Sequence, residues 1–483
     1  MQSITLSHPQ IVSIAVNVAI FVLIAIGSIV FISQLKLKEK GYKYLFVLYV
    51  IYWVPIMLVR PYRGTMQHAL GDVELMWVVL AAYGFVGIFL RAFADVISYV
   101  FKFRKAFLYF SLVVQIILFI PVIAHPSTAT NIVEAFGIGV GASCIGTYEL
   151  LFKEQYGKKR AFLTVSLLSI PPLLANFLTA PIQSVVKTAA TSHGKTDPHI
   201  LLILWMIALA FCVLALIMMF FLKEKRRTTP GLFNAIEEQL SEKKNNRSQE
   251  LGFFFGLAFV GMLIMFIKFS NSGSIGTMHV EQLAKYNHTS SAAYEGYLSV
   301  IFSLFQLVAG ILVGTVLIKK WNTLSIFLLG SGIWVIYELA AAFIRSPIAY
   351  FCVHSLNGFA YGILYNLILA VVLKISTSGK VVTKMGGYQS ILAIGITGAG
   401  WFIPWVKHRL MASNHSFNSY MHTYMVENLI LFGCVLLAIV TFVLLTYFFD
   451  RDNASFKFKQ PKAVESAQPL EAKKEEVLVS EKI

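Results

Sequence analysis

The sequence predicts an all-α polytopic membrane protein, with a twelve-helix core in two groups of six and one extra N-terminal transmembrane helix. Of its 483 residues, 57% are hydrophobic and 13% are charged, whereas about 25% of the residues in soluble domains are charged. The apolar residues form runs of about twenty or more, the length of helix that crosses a bilayer. These observations exclude a soluble enzyme, a DNA-binding protein and a secreted disulfide scaffold.

The apolar runs predict thirteen membrane-spanning helices. The first run covers residues 11–33, and six follow at 44–66, 74–99, 106–123, 132–152, 161–186 and 201–222. Six more lie at 251–276, 294–318, 324–344, 348–373, 385–406 and 428–449. Because residues 1–10 contain no basic residue and the first run is long, we interpret it as a helix rather than a signal peptide.

These runs divide the chain into five parts. We expect an extra helix at 1–35, an N-terminal half at 36–222, a cytoplasmic central loop at 223–250, a C-terminal half at 251–449 and a tail at 450–483. Residues 229–240 of the central loop have an apolar helical face and predict a helix on the membrane surface, with a solvated linker as the equal alternative. The tail combines Lys and Glu with few aromatic residues, which predicts disorder.

The basic residues predict the orientation. With alternating spans, 30 of the 40 Lys and Arg residues lie on the cytoplasmic side, six lie outside and four lie within spans. The positive-inside rule then places the N-terminus outside and the C-terminus in the cytoplasm. This orientation accounts for most of the net charge of +16 without a nucleic-acid partner. We expect a monomer surrounded by lipid in the plasma membrane.

No chemical motif in the sequence indicates catalysis. The four cysteines all fall in apolar runs, and no Cys/His cluster has metal-ligand spacing. Neither a nucleotide-binding glycine loop nor a His/Asp/Glu cluster is found, so we predict no enzyme activity, no metal and no cofactor. A membrane receptor or scaffold remains a remote alternative.

The two groups of six carry similar landmarks. The fourth helix of each group contains a glycine cluster, formed by Gly137, Gly139 and Gly141 in the first group and by Gly358 and Gly362 in the second. A basic loop follows the second helix of each group, with Lys102, Arg104 and Lys105 in the first and Lys319 and Lys320 in the second. With this duplication, residues of about 36–449 resemble the major facilitator superfamily of transporters. The resemblance implies two six-helix halves that rock about a central site.

A finer resemblance is to the organophosphate–phosphate antiporters of that superfamily. Leu58-Val-Arg60 is similar to their first-helix arginine site, and Phe266-Ile-Lys268 is similar to the seventh-helix site, with Lys in place of Arg. The resemblance implies that Arg60 and Lys268 together bind a phosphate group.

Cations within apolar helices are the candidate substrate-binding residues, because a charge inside the bilayer needs a cavity, a partner or a ligand. We expect Arg60 and Lys268 to bind an anion, with Asn271 adding a hydrogen bond. The alternative for Arg60 is that it extends to the outer interface beside Pro61. We expect Arg63, one turn further along, to reach that interface.

Five other residues are candidates for gating or coupling. Arg91 and Asp95 are one helical turn apart, and form either a gate with Lys153 or neighbouring basic residues or a simple helical ion pair. Glu134 and Glu338 are carboxylates in apolar runs that could carry a proton or neutralise an arginine. We list His354 with them, although a packed histidine is the more ordinary interpretation.

Together these features predict a secondary transporter for a small solute. The first hypothesis for the substrate is an organic anion, such as a phosphorylated metabolite, bound by Arg60 and Lys268. The alternative is proton-coupled uptake or efflux of a neutral or zwitterionic solute, with Glu134 or Asp95 as the proton carrier.

Overall fold

The computed structural model describes residues 8–34, 40–72, 74–100, 104–148, 151, 161–192, 195–224, 247–272, 274–289, 292–377, 383–411 and 416–449. Thirteen long helices dominate these residues, and the short hairpin strands Thr191–Ser192 and Lys195–Thr196 form the β-structure within them. This confirms the predicted all-α class. The central-loop helix proposed at 229–240 and the tail at 450–483 lie outside the described residues.

The thirteen long helices follow the predicted apolar runs. An isolated first helix precedes the N-terminal group: α1 (His8–Gln34), α2 (Lys40–Val59), α3 (Met76–Val100), α4 (Lys105–Ala124), α5 (Thr128–Ala142), α6 (Ala161–Ala190) and α7 (Ile203–Phe221). The C-terminal group contains α8 (Arg247–Asn271), α9 (Ala292–Leu312), α10 (Thr323–Phe343), α11 (Pro347–Thr377), α12 (Thr383–Met411) and α13 (Phe417–Phe449).

Six shorter helical segments in the described residues extend or connect these helices: Arg60–Tyr62 and Arg63–Ala69 after α2, Pro198–Leu201 before α7, Ser274–Tyr286 after α8, and Val313–Leu317 with Ile318–Lys320 continuing α9. The hydropathy pattern does not predict the helix Ser274–Tyr286, because its residues are of mixed polarity. In the described residues, eleven helices are long and apolar enough to cross a membrane by length and composition. The other two long helices, α6 and α12, are richer in proline, glycine and polar residues.

Two helix pairs hold the halves together. Helix α3 packs against α12, and α6 packs against α9. Glycine permits the close approach of the first pair, since a Cβ atom on Gly84 would lie 2.4 Å from the backbone nitrogen of Thr397. Each pair joins the second helix of one half to the fifth helix of the other half. A central space lies between these two interfaces.

The extra helix α1 lies along α6 at the edge of the second interface. The Gln10 side-chain amide donates to the carbonyl of Thr188 at 3.2 Å, and the Tyr297 hydroxyl on α9 donates to Asn17 Oδ1 at 2.7 Å. Most apolar side chains of α1, such as Leu23, are exposed on the protein surface. Helix α1 therefore contacts both halves while most of its surface faces outward.

Candidate functional site

A cavity lies between the two halves and takes residues from both. Its volume is about 130 Å³, which is enough for several water molecules or a small solute. The charged lining residues are Arg60, Arg91 and Lys268, the aromatic ones are Trp53, Tyr83, Phe269, Phe302, Tyr361 and Tyr365, and the polar ones include Asn176, Ser303, Gln306, His354 and Gln389. Within the described chain, no Asp or Glu lines this cavity.

Arg60 and Lys268 occupy equivalent places in the two halves. Helix α2 ends at Val59, and Arg60 begins a short 3-10 turn that contains Pro61; proline has no N–H to continue the helical ladder. Lys268 lies in the last turn of α8, just before the bend at Ser272. Each half therefore places a cation where its first helix is interrupted, and both cations face the same cavity.

Aromatic rings hold these two cations. The Arg60 guanidinium carbon lies 5.4 Å from the centre of the Phe269 ring and 5.7 Å from that of Tyr83. Lys268 Nζ lies 4.3 Å from the centre of the same Phe269 ring and 4.8 Å from that of Tyr361. Cation–π contacts of this kind stabilise a charge by about 0.5–2 kcal/mol.

Lys268 is the more available of the two cations. In the part of the chain that the structure describes, its ammonium group makes no hydrogen bond and no ion pair, and three aromatic rings are its neighbours. An ammonium group has three donors, so Lys268 can donate hydrogen bonds to an anion bound in this cavity.

Arg91 also lines the cavity, where it links the two halves. Its Nη1 donates to the backbone oxygen of Gln389 at 3.1 Å and to Gln389 Oε1 at 3.3 Å, which joins α3 to α12. Asp95 lies in α3, but its side chain is outside the described residues, as is Lys153. The gate predicted for Arg91 and Asp95 therefore stays a prediction.

Glu134 is fully buried in α5 and is not among the cavity-lining residues. The polar groups that face its carboxylate are Arg63 and Trp205. Arg63 is only 2% exposed and donates to the carbonyl of Val79 at 3.3 Å. The expectation that Arg63 reaches the outer interface is wrong, because its side chain is buried inside the N-terminal half, where it donates to a backbone carbonyl and faces a buried carboxylate.

Asn271 and Glu338 form a pair beside the cavity instead of lining it. Asn271 Nδ2 donates to Glu338 Oε1 at 2.6 Å, and both side chains are buried. His354 does line the cavity, and its Nδ1 lies 3.2 Å from the Tyr337 hydroxyl. The structure thus brings Arg60, Lys268, Arg91 and His354 together, and places Asn271, Glu134 and Glu338 elsewhere.

Sequence reasoning missed the contacts between α6 and α9. Asn176 Nδ2 donates to Ser303 Oγ at 2.6 Å and to the carbonyl of Ser299 at 2.9 Å. Lys187, which the span count assigned to an outer loop, is 1% exposed within α6 and lies 3.6 Å from Glu295 of α9. The position of a lysine beside the end of an apolar run does not show that a carboxylate of the other half lies next to it. A predicted run that extended one turn beyond residue 186 would have placed Lys187 within the helix.

No protein-family model and no curated protein sequence matches the chain, whereas solved structures match its fold. The human organic anion transporter MFSD10 (TETRAN) superposes with a TM-score of 0.57 at 14% identity, over 82% of this chain and 100% of that one. The nucleoside transporter NupG gives 0.60 at 10% identity, over 85% and 100%. The E. coli fucose:proton symporter FucP gives 0.54 at 13% identity, over 82% and 98%.

FucP is itself described as a Major Facilitator Superfamily transporter. The chain has the major facilitator fold. The predicted resemblance to this superfamily is therefore confirmed at the level of the fold, including the twelve-helix core. In this major facilitator fold, the cavity with Arg60 and Lys268 lies between the two halves. The neighbours do not single out the organophosphate–phosphate antiporters, so that finer resemblance stays a prediction.

Proposed function

We propose that the chain is a secondary transporter that carries a small organic anion, such as a phosphorylated metabolite, through the central cavity. The observation that carries this proposal is the cluster of three cations, Arg60, Arg91 and Lys268, in a cavity between two halves whose described lining contains no carboxylate. The major facilitator fold supports movement by alternating exposure of this cavity to the two sides.

Electrostatics favours an anion over a neutral solute. A basic side chain at the centre of a membrane helix costs roughly 2.5–3.5 kcal/mol on insertion scales, and three such charges repel one another across a small space. A bound phosphate or carboxylate offsets this repulsion and accepts charge-assisted hydrogen bonds from guanidinium and ammonium groups. The arginine fork suits bidentate contact with such oxygens, whereas lysine acts as a point charge.

The aromatic lining supports an organic substrate over a bare inorganic ion. Six aromatic side chains line the cavity, and they offer apolar surface for the carbon skeleton of a metabolite. MFSD10, one of the structural neighbours, is described as an organic anion transporter. The specific expectation of a phosphate group rests on the sequence similarity around Arg60 and Lys268.

Transport into proteoliposomes tests the proposal. We would measure uptake of radiolabelled glucose 6-phosphate, glycerol 3-phosphate, succinate and, as a neutral reference, glucose. Loss of a hydrogen bond to a charged group costs about 1.5–3 kcal/mol, so we expect Arg60→Ala and Lys268→Ala each to reduce anion uptake by roughly 10-fold to 100-fold.

Arg345→Ala is the matched control, because Arg345 is an exposed arginine on the surface of the same protein. It should transport as the parent protein does. Anion uptake that is unchanged in both Arg60→Ala and Lys268→Ala, or uptake of glucose but of none of the anions, would refute the proposed substrate class. Arg60→Lys should retain part of the activity if charge dominates and little of it if bidentate contact dominates.

The alternative is a neutral or zwitterionic solute coupled to protons through Glu134 or Asp95. The Asp95 side chain lies outside the described residues, and the position of Glu134 gives this alternative no support. Glu134 lies outside the cavity lining and faces Arg63 and Trp205. We therefore keep the anion as the proposed substrate.

A further inference from the structure

A second, smaller cavity lies next to the central one. Its volume is about 30 Å³, which is room for about two water molecules or one anionic group. Five residues line both cavities and form the wall between them: Arg60, Tyr83, Phe269, Ser272 and Ile396. Four residues line the smaller cavity but not the central one: Arg63, Leu80, Ile275 and Gly400. Among the described residues, no Asp or Glu lines the smaller cavity.

Arg63 brings unused hydrogen-bond donors to this smaller cavity. Its side chain is buried, and its one hydrogen bond within the described residues runs from Nη1 to the carbonyl of Val79 at 3.3 Å. Nε of Arg63 is buried without a partner among those residues. A guanidinium group has five N–H donors, so most of the donors of Arg63 remain for a ligand in the cavity that it lines.

Glu134 does not use these donors. It is the carboxylate that faces Arg63, but neither of its oxygens accepts a hydrogen bond from the guanidinium group, and Glu134 lines neither cavity. Glu134 therefore balances the charge of Arg63 at a distance and leaves its N–H groups unpaired. A buried cation in a membrane protein needs a partner, a cavity or a ligand, and the smaller cavity is the space in which a ligand would complete these hydrogen bonds.

The two arginines share one aromatic neighbour in the wall between the cavities. The guanidinium carbons of Arg60 and Arg63 each lie 5.7 Å from the centre of the Tyr83 ring. Arg60 lines both cavities, whereas Arg63 lines the smaller one and Lys268 lines the central one. An anion in either cavity therefore meets Arg60 and one further cation.

We propose that the smaller cavity is a second anion-binding subsite, which takes one phosphate or carboxylate group between Arg63 and Arg60. Planar guanidinium groups donate two parallel hydrogen bonds to the oxygens of such groups. Because Arg60 serves both cavities, one anion occupies either of them at a time and exchanges Lys268 for Arg63 when it moves. Passage of a transported anion through the subsite rests on the proposed function, whereas binding of inorganic phosphate there does not.

Equilibrium binding of radiolabelled inorganic phosphate to the full-length protein in detergent tests the subsite. The proteins compared are the parent, Lys268→Ala, Arg63→Gln and the double variant. Lys268→Ala weakens the central cavity, so the phosphate that still binds should depend on Arg63. The loss of affinity caused by Arg63→Gln should therefore be larger in the Lys268→Ala protein than in the parent, by about 3-fold or more. If Lys268→Ala weakens binding and the two losses are equal, Arg63 acts through the fold and the subsite is overturned.

Ile275→Phe covers the case in which Arg63→Gln fails to fold. It adds volume to the smaller cavity, which Ile275 lines, and leaves both arginines in place. In the Lys268→Ala protein it should reduce phosphate affinity by about 10-fold. The control Ile348→Phe, at an exposed isoleucine, should not reduce it. Phosphate affinity that Ile275→Phe leaves unchanged would overturn the subsite.

Two further results separate this subsite from the proposed function. If Lys268→Ala binds phosphate as tightly as the parent does, the proposed role of Lys268 is refuted, and Ile275→Phe in the parent protein then decides the subsite. Unlabelled glycerol 3-phosphate should displace the labelled phosphate from Lys268→Ala, and failure to do so would overturn the passage of organic anions through the subsite. Failure of every anion to enter proteoliposomes would refute the proposed function, while phosphate binding that depends on Arg63 would still support the subsite.

Discussion

The two interfaces between the halves occupy equivalent places in the repeat, but they are built differently. In the α3–α12 interface, glycines bring the backbones into contact: a Cβ on Gly400 would lie 2.6 Å from the backbone nitrogen of Ala81, and Gly84 meets Thr397 in the same way. The α6–α9 interface instead uses polar side chains, with Asn176 bonded to Ser303 and Lys187 paired with Glu295.

The two interfaces therefore differ in emphasis: close backbone packing dominates α3–α12, where Arg91 and Gln389 add one polar link, whereas α6–α9 has more directional polar contacts. Close packing of small residues depends on shape and is insensitive to salt or pH. Buried ion pairs and hydrogen bonds depend on both partners, and losing one partner leaves the other desolvated. We therefore test the α6–α9 interface by replacing single polar side chains. We test the α3–α12 interface by replacing a single glycine with a larger residue.

The largest effect is expected for Lys187→Met. This change removes the cation from a cluster with Glu295, which is buried, and with Glu281, whose oxygen lies 3.8 Å from Lys187 Nζ. Breaking a buried pair by removing one partner destabilises a protein by about 3–5 kcal/mol. The measurement is the free energy of unfolding or the melting temperature of the detergent-solubilised protein.

Lys285→Met is the control for that change, because Lys285 is exposed on the neighbouring helix Ser274–Tyr286. Adding Glu295→Gln to Lys187→Met should recover part of the lost stability, since the remaining carboxylate is then removed. If Lys187→Met were as stable as Lys285→Met, the buried pair would not hold the α6–α9 interface.

A smaller loss is expected for Gly84→Ala in the other interface. The new methyl group would lie 2.4 Å from a backbone nitrogen and 2.9 Å from a backbone carbonyl carbon of α12, so the two helices must move apart. Overpacking of this kind costs about 1–3 kcal/mol. The same substitution at Gly332, where no atom lies within 4 Å of the new methyl group, should stabilise its helix slightly, because alanine is the better helix former.

The melting temperatures of Gly84→Ala and Gly332→Ala test whether the α3–α12 interface is tightly packed. Equal melting temperatures for Gly84→Ala and Gly332→Ala would show that the α3–α12 contact tolerates extra volume. The interpretation of this interface as tightly packed would then be wrong.

The features that the sequence predicted are those that depend on local composition. A membrane helix is recognised from its own apolar residues, so the predicted runs match the helices. Arg60 and Lys268 were found because a charge in an apolar run is conspicuous wherever its helix packs. Lys187, by contrast, lies near the end of a run, and its partner Glu295 comes from the other half of the chain. Pairings of that kind depend on how helices meet, which hydropathy does not encode.

Asn271 shows the same limit at the candidate site. Its position one turn beyond Lys268 suggested a contact with substrate, yet its amide donates to Glu338 of another helix. Helical spacing places two side chains at neighbouring heights, but the direction that each one takes is set by the helices packed around it. The cavity-lining aromatic residues were missed for a related reason, since aromatic side chains are common in every apolar run.

The smallest effect is expected for Asn176→Ala in the α6–α9 interface. Its amide donates to Ser303 Oγ at 2.6 Å and to the carbonyl of Ser299 at 2.9 Å, and a net hydrogen bond contributes about 0.5–1.5 kcal/mol. Asn176 also lines the cavity, so water can partly replace the lost amide, and we expect a loss of about 1 kcal/mol.

A double-mutant cycle with Ser303→Ala isolates the bond between the two halves. If this bond joins α6 to α9, the double variant should be less destabilised than the sum of the single variants, by about 0.5 kcal/mol or more. Additive losses would show that Asn176 and Ser303 act independently. The polar character of the α6–α9 interface would then rest on the Lys187–Glu295 pair, and its sensitivity to single substitutions would be confined to the end of the helices where that pair lies.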